Sequence, residues 1–426
     1  MTQIDPTNSQ SIKNSSKPPL DEALFADLAR HIDDHHEKLI TLRRHLHATP
    51  DASGHEHETT AFIAATLTKL GCEPRIMQDG LGLLVDIDLG APSGSFIALR
   101  SELDAVGVND DKQTPYASSK PGLCHACGHD VHSTILMGVA GTITDSLDAI
   151  RQRNLKHNLR LIFQPSEETA TGAQSMIMQG ALDSVAAILC LHVDPFLEPG
   201  RIGVRHGPIT ASCNSFRVHI KGRGGHTARP FEAIDPIPAV TSLIDQFYML
   251  CPRSVDARHP MVISVASIDT GSVFNAIPDE AVIQGTLRTL RTKDASDVQQ
   301  RMLAIAQGVA LATGCDVDVQ FEHACPPTNN DVRLTDFVTS HCKRAFSDSF
   351  VEWIELPSMG GEDFAFYQEQ VPGLMVRLGA ALPDQKRRRP LHSSHFDIDE
   401  SALTAGTKYL VHAALWCAEQ YESDPT

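Results

Sequence analysis

The sequence predicts an α/β protein of two domains, in which a smaller ferredoxin-like α+β domain is inserted into a larger α/β sheet domain. Three observations support this prediction. The 426 residues are too many for one hydrophobic core. Apolar strand-like runs alternate with helical segments in the first half and end in polar, metal-binding residue types. From about Ser212 the order changes to β-α-β-β-α-β, which is typical of a ferredoxin-like module.

The larger domain is assigned from hydrophobic periodicity. A helix ends before Pro50, and a second helix ends at Gly71, a residue that readily adopts the left-handed conformation of a helix end. Five histidines fall on the first helix, and we interpret them as solvent-facing or locally satisfied. The predicted elements are helices 21–47, 59–70, 131–149, 173–180 and 401–421, and strands 83–89, 95–99, 159–163 and 186–191.

The inserted domain begins with an alternating strand that leads into a glycine-rich turn and ends at Pro326 and Pro327. Its predicted elements are strands 216–220, 261–268, 281–290 and 316–322, and helices 236–250 and 295–313. We therefore assign residues 212–326 to the inserted domain, 21–211 and 327–426 to the larger domain, and 1–20 to a disordered polar arm.

The composition excludes several classes of partner. With 36 basic and 53 acidic residues the formal net charge is −17, which argues against nucleic acid or anionic lipid as a partner. The ten cysteines are scattered along the chain, which favours a reducing, cytoplasmic location. The sequence contains no run of 18 apolar residues, so we predict no membrane span. The first 20 residues lack the apolar core of a secretory signal.

The segment from Cys124 to His132 reads CHACGHDVH and is the densest group of potential metal ligands in the sequence. Cysteine, histidine and aspartate side chains bind divalent transition metals, so such a cluster indicates a metal site. The alternative is a polar loop that happens to hold two cysteines. We favour the metal site because acidic residues and histidines recur further along the chain, at the ends of strand-like runs.

Four further positions carry side chains suited to this chemistry. The pair Glu167-Glu168 follows a strand, and adjacent carboxylates there can divide metal binding and proton transfer between them. A surface acidic loop is the alternative. His192 follows an apolar run and His392 lies in a polar loop, so each could instead be a satisfied core histidine. His226 lies in a glycine-rich turn, which indicates exposure near a ligand.

Together these segments resemble, in order, the motifs of a known family. The resemblance is to the dimetal amidohydrolase/aminoacylase-type peptidases, in the branch that holds hippurate hydrolases and indoleacetyl-amino-acid hydrolases. It implies a metallopeptidase-like catalytic α/β domain with two divalent metal ions, and an inserted lid domain that dimerises. The segments are HACGHDVH, FQPSEE, LHVDP, GRGGHTARP, FNAIPDEAVIQGTLRT, SMGGEDFAFY and LHSSHFDIDE.

The resemblance also implies roles for individual residues of the catalytic domain. Glu167 corresponds to the general base, and Asp104 corresponds to a carboxylate that orients a ligand histidine. Zinc or manganese are the expected metals, with cobalt or nickel as further options for a mixed set of sulfur, nitrogen and oxygen donors. The implied metal ligands are Cys127, His129, Glu168, His192 and His392.

In the lid domain, His226 corresponds to a residue that helps stabilise the oxyanion, often in the active site of the partner subunit. Asn275 and Arg288 correspond to the binder of a substrate carboxylate. Two residues depart from the pattern of the branch. Glu102 stands where the branch usually has aspartate, and Phe231 follows Pro230 where histidine is common. These departures leave the implied ligands intact and bear on the substrate side chain.

The predicted function is hydrolysis of the amide bond of small N-acyl amino acids, such as hippurate-like conjugates, by a metal-activated water with a glutamate general base. The enzyme would be a homodimer that acts on a small-molecule substrate. Two alternatives remain open at this point. One is a dipeptidase or carboxypeptidase on the same scaffold, and the other is a non-catalytic, metal-stabilised binding protein.

Overall fold

The computed structural model describes residues 19–256 and 258–422, so the predicted N-terminal arm lies outside the described residues apart from its last two positions. The helices are α1 (Glu22–Asp34), α2 (His36–Ala48), α3 (His57–Lys69), α4 (His129–Asp145), α5 (Leu147–Arg151), α6 (Gly172–Met178), α7 (Pro236–Ser254), α8 (Thr292–Thr313), α9 (Val332–Ala345), α10 (Ala365–Gln368) and α11 (Ser401–Gln420). The strands are β1 (Arg75–Ile76), β2 (Leu83–Ile87), β3 (Phe96–Glu102), β4 (Asn158–Gln164), β5 (Val185–Asp194), β6 (Ile202–Val204), β7 (Gly207–Pro208), β8 (Cys213–Lys221), β9 (Gly225–His226), β10 (Met261–Asp269), β11 (Ala276–Ile277), β12 (Glu280–Thr289), β13 (Asp316–Cys325), β14 (Asn329–Asn330), β15 (Val351–Trp353) and β16 (Gly373–Gly379).

The larger unit is built on a sheet of eight strands in the order β1-β2-β4-β3-β5-β16-β6-β15. Its four central strands are parallel, with β3 between β4 and β5, and β16 beside β5. These strands are buried along most of their length because helices cover both faces, as apolar parallel strands require. The carboxyl ends of parallel strands meet at one edge, where ligands bind in open α/β sheets. The predicted α/β class is confirmed.

The inserted unit is an antiparallel sheet of four strands in the order β10-β12-β8-β13. Helices α7 and α8 pack on one face of this sheet, and the whole arrangement has the ferredoxin-like order that the sequence predicts. Its own core contains Phe216, Phe247 and Met302, and is separate from the cores of the larger sheet. The chain enters and leaves the inserted unit beside the short antiparallel pair β7 and β14. The exact domain boundaries stay predictions.

Two local features differ from the sequence-based expectation. The predicted helix 21–47 is two helices, which meet at His35, where φ is −99° and ψ is 8°. One of the five histidines, His47, is fully buried and lies 2.7 Å from the Asp130 carboxylate, so interpreting it as solvent-facing or locally satisfied is wrong. The other helices predicted for the larger unit overlap the observed helices α3, α4, α5, α6 and α11. Among the described residues, no helix combines the length and apolar character that a bilayer crossing requires.

Candidate active site

Most of the predicted site residues lie at a single edge of the large sheet, at the ends of strands or at the start of one helix. Asp104 follows β3, the pair Glu167-Glu168 follows β4, and His192 lies near the end of β5. His129 is the first residue of α4, and Cys127 lies two positions earlier. These elements converge because the parallel register places their carboxyl ends side by side.

Two groups of donor atoms share the thiol of Cys127. In the first group, the donor atoms of Cys127, His129 and His192 lie within 4.8 Å of one another. In the second, Cys127 is joined by Glu168 and His392, again within 4.8 Å. His392 Nε2 lies 3.3 Å from Glu168 Oε1, and Cys127 Sγ lies 3.5 Å from His192 Nε2. Two sets of donors around one sulfur fit two metal ions that share a ligand.

Buried polar atoms in this cluster lack hydrogen-bond partners among the described residues. His129 Nε2 and Glu168 Oε1 are both buried, and neither has a hydrogen-bond partner of good geometry among these residues. Unsatisfied buried polar atoms are rare in folded proteins, and a site for a bound metal ion is one recognised reason for them. Sulfur, imidazole and carboxylate donors together suit a borderline divalent cation. The five residues Cys127, His129, Glu168, His192 and His392 could therefore hold the two cations that the sequence implies.

The ligand histidines are oriented through their second ring nitrogens. His129 Nδ1 lies 2.8 Å from the Asp104 carbonyl oxygen and 3.2 Å from Asp104 Oδ1. His192 Nδ1 lies 2.9 Å from the Val193 carbonyl oxygen. Because a carbonyl oxygen only accepts, Nδ1 carries the hydrogen in each ring and Nε2 is left as the donor to a cation. This arrangement is typical of metal-binding histidines. Asp104 is itself held by Ser53 Oγ at 2.7 Å.

The backbone is strained at several points of this edge. His392 has φ of 65° and Ser166, next to Glu167, has φ of 56°, both in the left-handed region that non-glycine residues rarely adopt. Gly128 lies between Cys127 and His129 with φ of 88°, and a Cβ there would lie 2.4 Å from Val193 Cγ2. Strain of this kind persists where the surrounding structure enforces it, and it clusters at functional sites.

Burial dominates the protonation equilibria of the ligands. It raises the pKa of the Cys127 thiol well above its usual value, and the charges of Glu168 and Glu167 add to the effect. Burial also lowers the pKa of His192 well below its usual value. Burial opposes protonation of His129 as well, but the hydrogen bond and charge of Asp104 raise its pKa to about 10. A bound cation would displace the protons of Cys127 and His129, so metal affinity would increase with pH.

Glu167 lies beside the ligand cluster. Its side chain is almost fully buried, and its Oε2 lies 3.9 Å from His129 Nε2. Burial raises its pKa well above the usual carboxyl value, followed by the charges of Glu362 and Glu168. A carboxylate with a raised pKa is a stronger base, and this position next to the ligand group suits it to proton transfer.

Four residues of the cluster line a cavity of about 420 Å³ to which both units contribute, and they are Cys127, Glu168, His192 and His392. Arg288, from β12 of the inserted unit, also lines the cavity and donates a hydrogen bond to the Met359 carbonyl oxygen at 2.9 Å. His226 and Asn275 are exposed on the inserted unit and do not line this cavity within one chain. They lie near each other, since Thr227 N donates to the Asn275 carbonyl oxygen at 3.4 Å.

Several residues without an assigned role also belong to this site. Arg100 is fully buried and contacts Asp363 at 2.7 Å and Glu362 at 3.0 Å, and it also pairs with Glu102. Glu362, Asp363 and Arg377 line the cavity. The segment SMGGEDFAFY contains two of these carboxylates, so the signal is present in the sequence, but its partners become apparent only in three dimensions. Glu102 also binds His132 Nδ1 at 2.7 Å.

An α/β sheet that gathers thiol, imidazole and carboxylate donors at its ligand edge, with a further buried carboxylate beside them, defines a metal-dependent hydrolase. The comparison with protein families identifies which one. Residues 98–416 match the model of peptidase family M20/M25/M40. The chain belongs to this family and is a metal-dependent amide hydrolase, so the predicted family and class of enzyme are confirmed.

The names of similar proteins span several kinds of amide substrate. The chain is 35% identical to N-acetyl-L-cysteine deacetylase of Bacillus subtilis, over 89% of this chain and 88% of the relative. It is 33% identical to IAA-amino acid hydrolase ILR1-like 4 of Arabidopsis thaliana, over 92% and 87%. It is 34% identical to thermostable carboxypeptidase 2 of Saccharolobus solfataricus, over 92% and 98%. A solved dinuclear metal-binding M20 peptidase of Bacillus subtilis superposes with a TM-score of 0.77 at 31% identity, covering 91% of this chain and 99% of that one.

Proposed function

We propose that this protein hydrolyses the amide bond of small N-acyl amino acids. The observation that carries the proposal is the position of Glu167, a buried carboxylate that lines the cavity beside the donor cluster, with its Oε2 3.9 Å from His129 Nε2. The relatives include a deacetylase of an N-acetylated amino acid and a hydrolase of indoleacetyl-amino acids, which supports the N-acyl amino acid class.

Two divalent cations would be held by Cys127 as the shared ligand, with His129 and His192 on one side and Glu168 and His392 on the other. When bound, they supply Lewis acidity that makes water more acidic and the amide carbonyl more electrophilic. The mixed donor set favours zinc or manganese, with cobalt or nickel as alternatives. Asp104 fixes the ring of His129 through the contacts described above and so keeps the Nε2 lone pair directed into the cluster.

The side chains divide the reaction between them. Glu167 accepts a proton from the attacking water and delivers it to the leaving amine, which one carboxylate can do in sequence because its pKa lies above the usual carboxyl value. Arg288 projects from the inserted unit into the cavity and binds the substrate carboxylate through its guanidinium. Asn275 contributes a further polar contact to that carboxylate, and His226 donates to the developing oxyanion.

His226 and Asn275 are exposed in a single chain, so their roles require a second one. A homodimer formed through the inserted unit would place them in the active site of the partner subunit. Large apolar side chains exposed on α7 and the edge strand β10 support this arrangement, because their burial would stabilise an interface. They are Tyr248, Met249, Val262 and Ile268.

The two departures from the family branch have different surroundings. Glu102 is fully buried between Arg100 and His132, so its extra methylene is accommodated within an internal network. Phe231 is 81% exposed on the inserted unit. We therefore propose that Glu102 and Phe231 influence substrate selection indirectly, through the residues next to them. All ten cysteines are free, which supports a reducing, cytoplasmic setting.

Replacing Glu167 with glutamine tests the proposal. The amide keeps the size of the side chain but cannot accept the proton, so turnover of an N-acyl amino acid should fall on the order of 10²–10⁴-fold. Metal content and the unfolding midpoint should stay at wild-type values. Near wild-type turnover in the metal-loaded variant would remove Glu167 from this role. Glu355→Gln, a carboxylate outside the cavity, is the matched control.

A second candidate function is that of a carboxypeptidase or dipeptidase, which the 34% identity to a thermostable carboxypeptidase favours. A panel that compares N-acetyl and N-benzoyl amino acids with dipeptides of the same C-terminal residue separates the two. Higher kcat/KM for the dipeptides would establish the second function. The same panel after chelation and metal re-addition tests whether turnover depends on the metal ions.

A further inference from the structure

We propose a third divalent-metal site, remote from the cavity, at the corner where α1 meets α2 and the last residue of α4 approaches it. Its ligands are His31, His35 and Asp145. Their donor atoms lie within 4.8 Å of one another, close enough for one cation to contact all three. The three side chains come from two separate parts of the chain, so the fold and not local sequence alone creates the group.

The two imidazoles are placed by the helix period. His31 lies in the last turn of α1 and His35 is four residues later, so their rings fall on one face with centroids 4.3 Å apart. Asp145 ends α4, and its Oδ2 lies 3.3 Å from His31 Nε2. Two histidines one turn apart, together with a carboxylate from a second element, are a common way for proteins to hold zinc.

The ring of His35 is held in the tautomer that a cation requires. His35 Nδ1 lies 2.8 Å from the carbonyl oxygen of His31, which only accepts a hydrogen bond, so Nδ1 carries the hydrogen. Nε2 is then the nitrogen with a free lone pair. A ligand histidine that donates its other N–H to a backbone carbonyl is the arrangement that orients metal-binding rings, and His129 and His192 at the active site show it too.

Electrostatics at this corner also favour a cation. Asp145 is the last residue of α4, where the helix dipole makes a negative charge unfavourable, and no basic residue lies in that last turn. Asp33 and Asp34 end α1 close by. Asp33 forms an ion pair with Lys408 at 2.6 Å. Among the described residues, the ion-pair partner of Asp145 is His31 and not a lysine or arginine. A divalent cation would compensate the remaining negative charge.

The donor set determines which ions fit. Two imidazole nitrogens and one carboxylate suit zinc, cobalt, nickel or copper(II), whereas magnesium and calcium prefer oxygen donors alone. The site lies at the opposite end of α4 from His129, about 24 Å away along 17 helical residues. An ion there would join the α1–α2 corner to the far end of α4 without entering the catalytic cavity.

Titration of Zn²⁺ into the holoenzyme, whose active-site metals are already loaded, tests this inference by calorimetry together with metal analysis of the dialysed protein. The wild-type chain should bind one further ion. His35→Ala and Asp145→Asn should each weaken that binding by at least about tenfold. Loss of a residue that only supports a metal ligand typically lowers metal affinity by about that factor, and loss of the ligand itself should lower it at least as much. Activity with the two catalytic ions should be unchanged in both variants.

Two further variants sharpen the result. Lys38 lines the same cleft and forms no ion pair with the described residues, so Lys38→Gln should strengthen Zn²⁺ binding by removing a like charge. His206→Ala removes a surface histidine that pairs with Asp336 at 2.7 Å but has no second imidazole beside it, and it should leave the binding unchanged. A wild-type holoenzyme that binds no additional ion overturns the proposal, as does an additional ion retained at full affinity by His35→Ala and Asp145→Asn.

Discussion

Gly128→Ala is the substitution for which the structure gives the most direct magnitude. Gly128 precedes α4 with φ of 88° and separates Cys127 from His129 in the sequence. Alanine there meets two separate costs. The left-handed conformation costs a residue with a Cβ about 1–2 kcal/mol. The Cβ would also lie 2.4 Å from Val193 Cγ2, a distance at which one of the two groups must move.

Forcing an additional methyl group into a packed core costs about 1–3 kcal/mol, so the expected loss in the free energy of unfolding is about 2–5 kcal/mol in total. The movement would fall on Val193, which follows His192 and whose carbonyl oxygen orients the His192 ring. The variant should therefore also bind its metal ions more weakly than the wild type.

Gly314→Ala is the matched control. Gly314 follows the last residue of α8 with φ of 77°, and no atom of the described residues lies within 4 Å of its hypothetical Cβ, so this variant should lose only the conformational cost of about 1–2 kcal/mol. The effect of alanine on the unfolded chain is the same in both and cancels. Urea unfolding of the two variants measures the difference, about 1–3 kcal/mol. Equal losses at the two positions would refute the reasoning from Val193.

Three further predictions concern the site and the core. Cys127→Ala should lose bound metal by elemental analysis, and an unchanged stoichiometry would contradict its assignment as the shared ligand. Arg100→Met leaves three carboxylates around it without their buried cation, and the free energy of unfolding should fall by about 3–5 kcal/mol in urea. Burial, with smaller contributions from His341 and Lys408, lowers the pKa of His412 to about 3. Below its ordinary pKa of about 6.5 the unfolded chain gains a proton that the folded chain does not, so stability is complete above that pH and falls as the pH decreases towards 3. In His412→Phe the slope of stability against pH between about pH 6 and pH 4 should decrease by up to about 1.4 kcal/mol per unit, and an unchanged slope would exclude His412 as its source.

Strands β3, β4 and β5 are predictable from the sequence because each is an apolar run that ends in polar residues, and the parallel fold then brings those residues together. The same logic locates the metal-binding edge. Strand β16 is not assigned from the sequence, although it is the fourth parallel strand of the core. A short apolar run after a proline is compatible with a buried helix or a strand, and periodicity alone does not separate them.

Other features depend on contacts that a linear sequence does not contain. The break between α1 and α2 at His35 contains no glycine or proline, so the sequence does not indicate it. It becomes apparent only from the packing of both helices against α4 and α11. The burial of His47 depends on Asp130, 83 residues away. The roles proposed for His226 and Asn275 depend on a second chain. Sequence therefore identifies the donors that follow strands more readily than the groups that surround them.

Within residues 19–256 and 258–422 the chain crosses between the two units twice, and the crossings lie side by side in the ladder formed by β7 and β14. The walls of the cavity, in contrast, come from both units, with Arg288 on one side and His392 on the other. Any change of angle between the units thus alters the width of the cavity while leaving each core intact. Substitutions within this two-residue ladder would change how readily the cavity opens, and product release could be tuned there without altering a group that contacts the substrate.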